Sequence, residues 1–133
     1  MLIEWQPAFV TGVPTIDADH RHIIEMINRI WGRIGGGIGL AEIEDMMLDY
    51  CNYCSRHFQA EENMMVEYRY PGIRQHRTCH KQMLDQFESL MLRLEVAKEI
   101  SGEQVRGFVQ TLADHIQSED RLLAAFIRER RGA

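Results

Sequence analysis

Thiols, basic charge and long apolar runs are all scarce in this chain, and each scarcity excludes something. The cysteines are Cys51, Cys54 and Cys79, an odd count in 133 residues, so no disulfide framework is expected. Cys51 and Cys54 have C-x-x-C spacing but fall inside a helical pattern with no strand before them. A thioredoxin-type redox motif needs that strand, so buried or half-buried thiols are expected instead. Lysine and arginine total 15 against 20 acidic residues, a net charge of −5, which argues against a nucleic-acid partner. The one basic cluster, Arg128, Arg130 and Arg131, sits where it complements the carboxyl end of the last helix. No apolar run approaches the roughly 18 residues that a membrane span needs. Met1 to Pro7 show no basic stretch leading into an apolar block and cleavage site. The expectation is therefore one domain, residues 1–133, in the cytoplasm, with no membrane span.

No stretch alternates apolar and polar residues convincingly, whereas helical periodicity is pervasive. His20, Ile23, Ile24, Ile27, Trp31 and Ile34 share one face, with Asp17 as expected N-cap and Asp19 in the first turn. The Gly35–Gly39 stretch ends that helix. A second helix is predicted over about 40–69, its seam running through Ile43, Tyr50, Cys54, His57 and Glu61 to Tyr68, before Pro71 and Gly72 break the chain. A third, about 73–99, carries His76, His80, Met83, Phe87, Leu90 and Leu94. Ser101-Gly102-Glu103-Gln104 reads as a capping box opening a fourth, which continues through Val105, Phe108, Leu112, His115, Ile116, Leu123 and Phe126 to about Arg130. Long amphipathic helices on short connections imply an all-α, antiparallel up-down-up-down four-helix bundle. The first sixteen residues are expected to form an irregular N-terminal arm. The apolar residues Ile38, Ile100 and Ile127 lie off these seams and are too scattered to define an oligomer interface.

The chemistry lies in what the seams share. His57/Glu61 and His76/His80 are i, i+4 pairs, each on one helix face, on either side of the Tyr70-Pro71-Gly72 turn. In an antiparallel bundle the start of helix one is level with the end of helix two. His20 lies just inside helix one, Glu61 about 12 Å from the end of helix two, and His80 about 10 Å into helix three, at 1.5 Å per residue. His115 and Asp120 fall in the second half of helix four. Their i, i+5 spacing diverges by about 140° on an α-helix, so Asp120 is expected to lean sideways. One polar seam residue is usually a satisfied core residue. Seven in one layer are different, because each unpartnered buried polar group costs roughly 1–3 kcal/mol in a fold worth only about 5–15 kcal/mol. A metal satisfies them together. Of the six histidines only His22 points elsewhere, into solvent, and Cys79 is turned away from the site. Imidazoles and carboxylates without thiolates suit iron or manganese, and seven donors exceed one tetrahedral zinc.

These residues resemble the hemerythrin family, in particular its single-domain bacterial members. The resemblance rests on Trp5, Gly12-Val13 and Ile16-Asp17-Ala18-Asp19-His20, then His57-Phe58-x-x-Glu61-Glu62-x-x-Met65 and Tyr70-Pro71-Gly72. His76-x-x-x-His80 and His115-Ile116-x-x-x-Asp120 complete it. It implies a non-heme di-iron cofactor with an oxo or hydroxo bridge: His76, His80 and His115 on one iron, His20 and His57 on the other, Glu61 and Asp120 bridging. It implies reversible dioxygen binding at the open position of the second iron, in a pocket matched by Ile23, Phe58, Leu112 and Ile116. Where the family usually has Trp, this chain has Thr111, which implies a wetter or more open pocket. Leu122 and Leu123 stand where aromatics often follow the bridging Asp.

The function expected from the resemblance is a non-enzymatic oxygen carrier, store, delivery protein or sensor, with any protein acceptor unidentified. Five imidazoles support that over the carboxylate-rich set of bundle oxidases. The alternatives are a di-iron redox enzyme acting on peroxide, nitric oxide or a reduced cosubstrate, and an interaction module with a structural zinc.

Overall fold

The computed structural model describes residues 2–34, 36 and 39–132. Among these there are helices and no strands, and the helices form the expected antiparallel four-helix bundle. α1 is Pro14–Ile34, α2 Leu40–Glu67 and α3 Ile73–Ala97. The fourth rod comprises α4 (Gly102–His115), a π-helical turn (Ile116–Asp120) and α5 (Arg121–Gly132). The junction residues Ile116 and Arg121 keep right-handed helical dihedrals, so the rod is continuous. Of the expected glycine stop after α1, Gly35, Gly37 and Ile38 lie outside the described residues; α1 itself ends at Ile34.

Local chemistry explains where the helices begin. α1 opens earlier than the sequence suggests, because Pro14 is preset for a first-turn position. Asp17 is therefore not the N-cap. Its carboxylate instead accepts hydrogen bonds from the Thr11 N–H (2.8 Å), the Thr11 hydroxyl (2.7 Å) and the Gly12 N–H (3.1 Å), which fastens the arm to the helix. Gly12 has φ +90°, and a Cβ there would come within 2.9 Å of Arg128, so the position requires glycine. The arm is less irregular than expected: Pro7–Phe9 form a short 3₁₀ turn, and Phe9 is buried. Asn28 pins it further, accepting from the N–H groups of Leu2 and Ile3 at 2.9 Å each. At α4, the Ser101 hydroxyl accepts from the Gln104 N–H at 3.4 Å, so half of the capping box is formed.

Two apolar clusters make the core. The larger includes Ile23, Ile27, Tyr50, Phe58, Phe87, Leu94, Phe108, Leu112 and Ile116. The smaller includes Val13, Ile16, Met65, Tyr70, Leu123, Ala124 and Ile127. Ile127 is fully buried there, and Ile100 packs partly buried on the larger cluster, so neither is a stray surface residue. Fully burying side chains of this size stabilises by about 1.5–3 kcal/mol each. Along every helix the polar seam residues fall between the clusters: Ile16, His20, Ile23 on α1; Phe58, Glu61, Met65 on α2; Ile116, Asp120, Leu123 on the last rod. The site is a polar layer sealed above and below by hydrocarbon.

Candidate metal centre

His20, His57, Glu61, His76, His80, His115 and Asp120 are all at most 5% exposed. They gather as the sequence predicts. Glu61 lies with its Oε1 2.9 Å from His80 Nε2 and 3.4 Å from His76 Nε2, and its Oε2 2.9 Å from His57 Nε2 and 3.6 Å from His20 Nε2. Asp120 is divided in the same way. Its Oδ1 lies 2.9 Å from His76 Nε2 and 3.0 Å from His115 Nε2, and its Oδ2 3.0 Å from His20 Nε2. Each carboxylate thus gives one oxygen to the histidine triad 76/80/115 and the other to the pair 20/57. The donor atoms form two groups, one of Glu61, His76, His80, His115 and Asp120, the other of His20, His57, Glu61 and Asp120.

These contacts fit metal ligation better than hydrogen bonding. The inner Nε2 atoms of His20, His57, His76 and His115, with Glu61 Oε2 and Asp120 Oδ1, are buried without a hydrogen-bond partner, although they stand near 3 Å from one another; His80 Nε2 alone makes a hydrogen bond, to Glu61 Oε1. Close and wrongly angled is what atoms aimed at a common centre look like. Ligand bonds of about 2.1 Å at right angles put neighbouring donors roughly 3.0 Å apart. The donor set, imidazole with carboxylate, suits first-row ions of octahedral habit.

The π turn corrects one expectation. Asp120 does not lean across a 140° gap. The wider turn over Ile116–Asp120 places it on the same face as His115, five residues before it. Such turns recur at functional sites because they re-aim a side chain within a helix.

Two more carboxylates matter, and the sequence reading assigned neither to the site. Asp19 Oδ2 lies 2.8 Å from His57 Nδ1, and Glu62 Oε2 lies 2.9 Å from His80 Nδ1. Each holds the outer nitrogen of an imidazole whose inner nitrogen faces the cluster, which fixes ring orientation and raises ligand basicity. The signal available was adjacency: each acid is the chain neighbour of a site residue, His20 or Glu61.

As bare side chains the cluster is a set of ion pairs. Burial opposes protonation of His57, but the charge of Glu61 and the hydrogen bond to Asp19 outweigh it and push the imidazole up to about 10. Burial likewise opposes charge on His20 and His76, and contacts with Asp120 and Glu61 carry both up to about 9. Burial raises Glu61 and Asp120, and the surrounding histidines more than reverse this, holding both carboxyls well below their usual range.

Around the cluster, Ile23, Phe58, Leu112 and Ile116 are buried, and the Phe58 ring stacks on His80 with centroids 4.0 Å apart at 11°. Thr111 is only half-buried, and its hydroxyl donates to the Gly107 carbonyl at 3.1 Å. Cys79 belongs to neither donor group. Cys54 is buried, which pushes its thiol up to about 12, so it is packing rather than a nucleophile. His22 is exposed, as expected.

The family model of the hemerythrin HHE cation binding domain matches residues 11–127. The chain belongs to the hemerythrin family. Among hemerythrin relatives, the bacteriohemerythrin of Stenotrophomonas maltophilia is 28% identical over 92% of this chain and 80% of its own length. That of Clostridium acetobutylicum is 23% identical over 88% of this chain and 95% of its own. A crystal structure of wild-type hemerythrin superposes with a TM-score of 0.84 at 24% identity, covering 94% of this chain and 97% of that one. That likeness shows the shared fold. Among the described residues no helix is long and apolar enough to cross a membrane.

Proposed function

We propose that this hemerythrin holds two iron ions and binds dioxygen reversibly, as a carrier, store, delivery protein or sensor rather than as an enzyme. The observation that carries this is the division of both carboxylates, one oxygen of each toward the histidine triad and one toward the histidine pair. That division supports a bridging role for Glu61 and Asp120. Counting them, the triad side has five protein donors and the pair side four. The His20/His57 side is therefore the one with room for a small ligand. When bound, a ferrous pair would supply the two electrons that dioxygen takes up and returns. The protein's part is to keep that exchange reversible. The buried side chains of Ile23, Phe58, Leu112 and Ile116 would exclude water and stray protons from the cluster. Five neutral imidazoles favour the lower oxidation states over the high-valent iron of carboxylate-rich oxidases.

The test is the optical spectrum of reduced, iron-loaded protein before and after air. An oxygen-dependent visible band that disappears on degassing supports the reading. Absence of any band, or continuous oxygen consumption when a reductant is supplied, overturns it.

A further inference from the structure

The outer nitrogens of two site histidines are backed by unlike groups. Behind His57 stands Asp19, whose second oxygen accepts a hydrogen bond from the Tyr53 hydroxyl at 3.0 Å. Behind His80 stands Glu62, whose second oxygen pairs with Arg77 Nε at 3.2 Å. One carboxylate is anchored by a neutral phenol, the other by a guanidinium. Among the described residues no lysine or arginine pairs with Asp19.

An imidazole that donates its outer N–H to a carboxylate becomes a stronger donor at its inner nitrogen. A cation on that carboxylate draws the charge back. His57 therefore has the stronger electron push behind it, and His80 the damped one. The Asp19 side chain is 37% exposed, so water competes for its oxygens, and the Tyr53 hydroxyl occupies the one that His57 does not. Tyr53 and His57 are four residues apart on α2, so phenol and imidazole grip the two oxygens of Asp19 from one helix face.

We propose that Tyr53 is a positioning residue: through Asp19 and His57 it strengthens metal binding at the two-histidine position and keeps the two ions inequivalent. This rests on the di-iron reading above and adds what tunes each position.

The experiment is an anaerobic Fe(II) titration against a chromophoric chelator, with midpoint potentials measured on the same samples, for wild type, Asp19→Asn, Tyr53→Phe and Arg77→Gln. Asp19→Asn should weaken one of two binding constants by about 10–100-fold, and Tyr53→Phe the same constant by less. Both should raise the midpoint potential. Arg77, whose side chain is 53% exposed, is replaceable without harm to the fold. Arg77→Gln should weaken neither constant and should lower the potential, by freeing the charge of Glu62. Opposite signs are not what general structural damage produces. If Tyr53→Phe keeps wild-type constants and potential, or all three substitutions move the potential the same way, the proposal is overturned. If wild type takes up no iron, the di-iron reading falls, and this inference with it.

Discussion

Replacing Glu61 with Gln changes one oxygen to an amide nitrogen and almost nothing else in shape. The two oxygens of Glu61 serve different histidines, at 2.9 Å from His80 and 2.9 Å from His57. An amide NH2 cannot ligate, so one metal position must lose a donor. The triad side would keep His76, His80, His115 and Asp120, whereas the pair side would keep only His20, His57 and Asp120. The amide oxygen should therefore turn toward whichever side holds an ion, and the pair side should empty. The expected stoichiometry is one ion per chain in Glu61→Gln, against two in wild type.

The consequence for stability follows from linkage. At free metal about 100 times Kd, each filled position stabilises the fold by about 2.7 kcal/mol. For a chain of 133 residues that raises Tm by on the order of 10 °C per position. Wild type should gain about twice as much from metal as Glu61→Gln does. The comparison uses the increment within each variant, so any cost of the substitution to the metal-free fold cancels. Thermal unfolding followed by circular dichroism, with and without Fe(II) under anaerobic conditions, reads it directly. A variant that retains two ions and the full increment would refute the claim that Glu61 bridges.

Four further outcomes are expected. At pH 7.5 the metal-free protein carries protons on His57, pushed up to about 10, and on His20 and His76, at about 9. An imidazole must be neutral to ligate, so metal loading should release protons, measurable by calorimetry in buffers of different ionisation enthalpy. Those raised values also stabilise the metal-free fold below about pH 6.5, and that contribution fades as pH climbs through 9 to 10. The Tm of metal-free protein should therefore fall across that range while that of loaded protein holds; a flat metal-free profile would contradict the ion-pair account. Phe58→Ala removes a buried ring stacked on His80 and should cost about 3–5 kcal/mol in urea unfolding. Thr111→Trp adds an indole at the half-buried position next to Leu112 and should slow autoxidation several-fold, read as the decay of the oxygen-dependent band; an unchanged rate would show that water does not enter there.

Much of what the sequence revealed of the site, and part of what it concealed, follows from the assumption of 100° per residue. His57/Glu61 and His76/His80 obey it, so their convergence is legible as spacing alone. Asp120 does not obey it, because the chain between it and His115 is π-helical. A clue was present. The seam positions Leu112, Ile116, Asp120 and Ala124 step by four each time, and such a run drifts about 40° per step on an α-helix. A wider turn cancels the drift and keeps Leu123, Ala124 and Ile127 facing the core. Asp19 and Glu62 were hidden for a different reason. Each is partly exposed and unremarkable for a helix surface, and only the packing of α1 on α2 and of α2 on α3 brings it to a histidine of the neighbouring helix. Both kinds of concealment occur in one layer. The π turn breaks the α-helical ladder, and six inward-facing donor atoms are buried there without hydrogen bonds. Local rules broken together, between two ordinary apolar clusters, are hard to sustain in a fold this marginal unless a common partner offsets them. A bound metal pair would take all six inward-facing atoms at once, and core packing alone takes none.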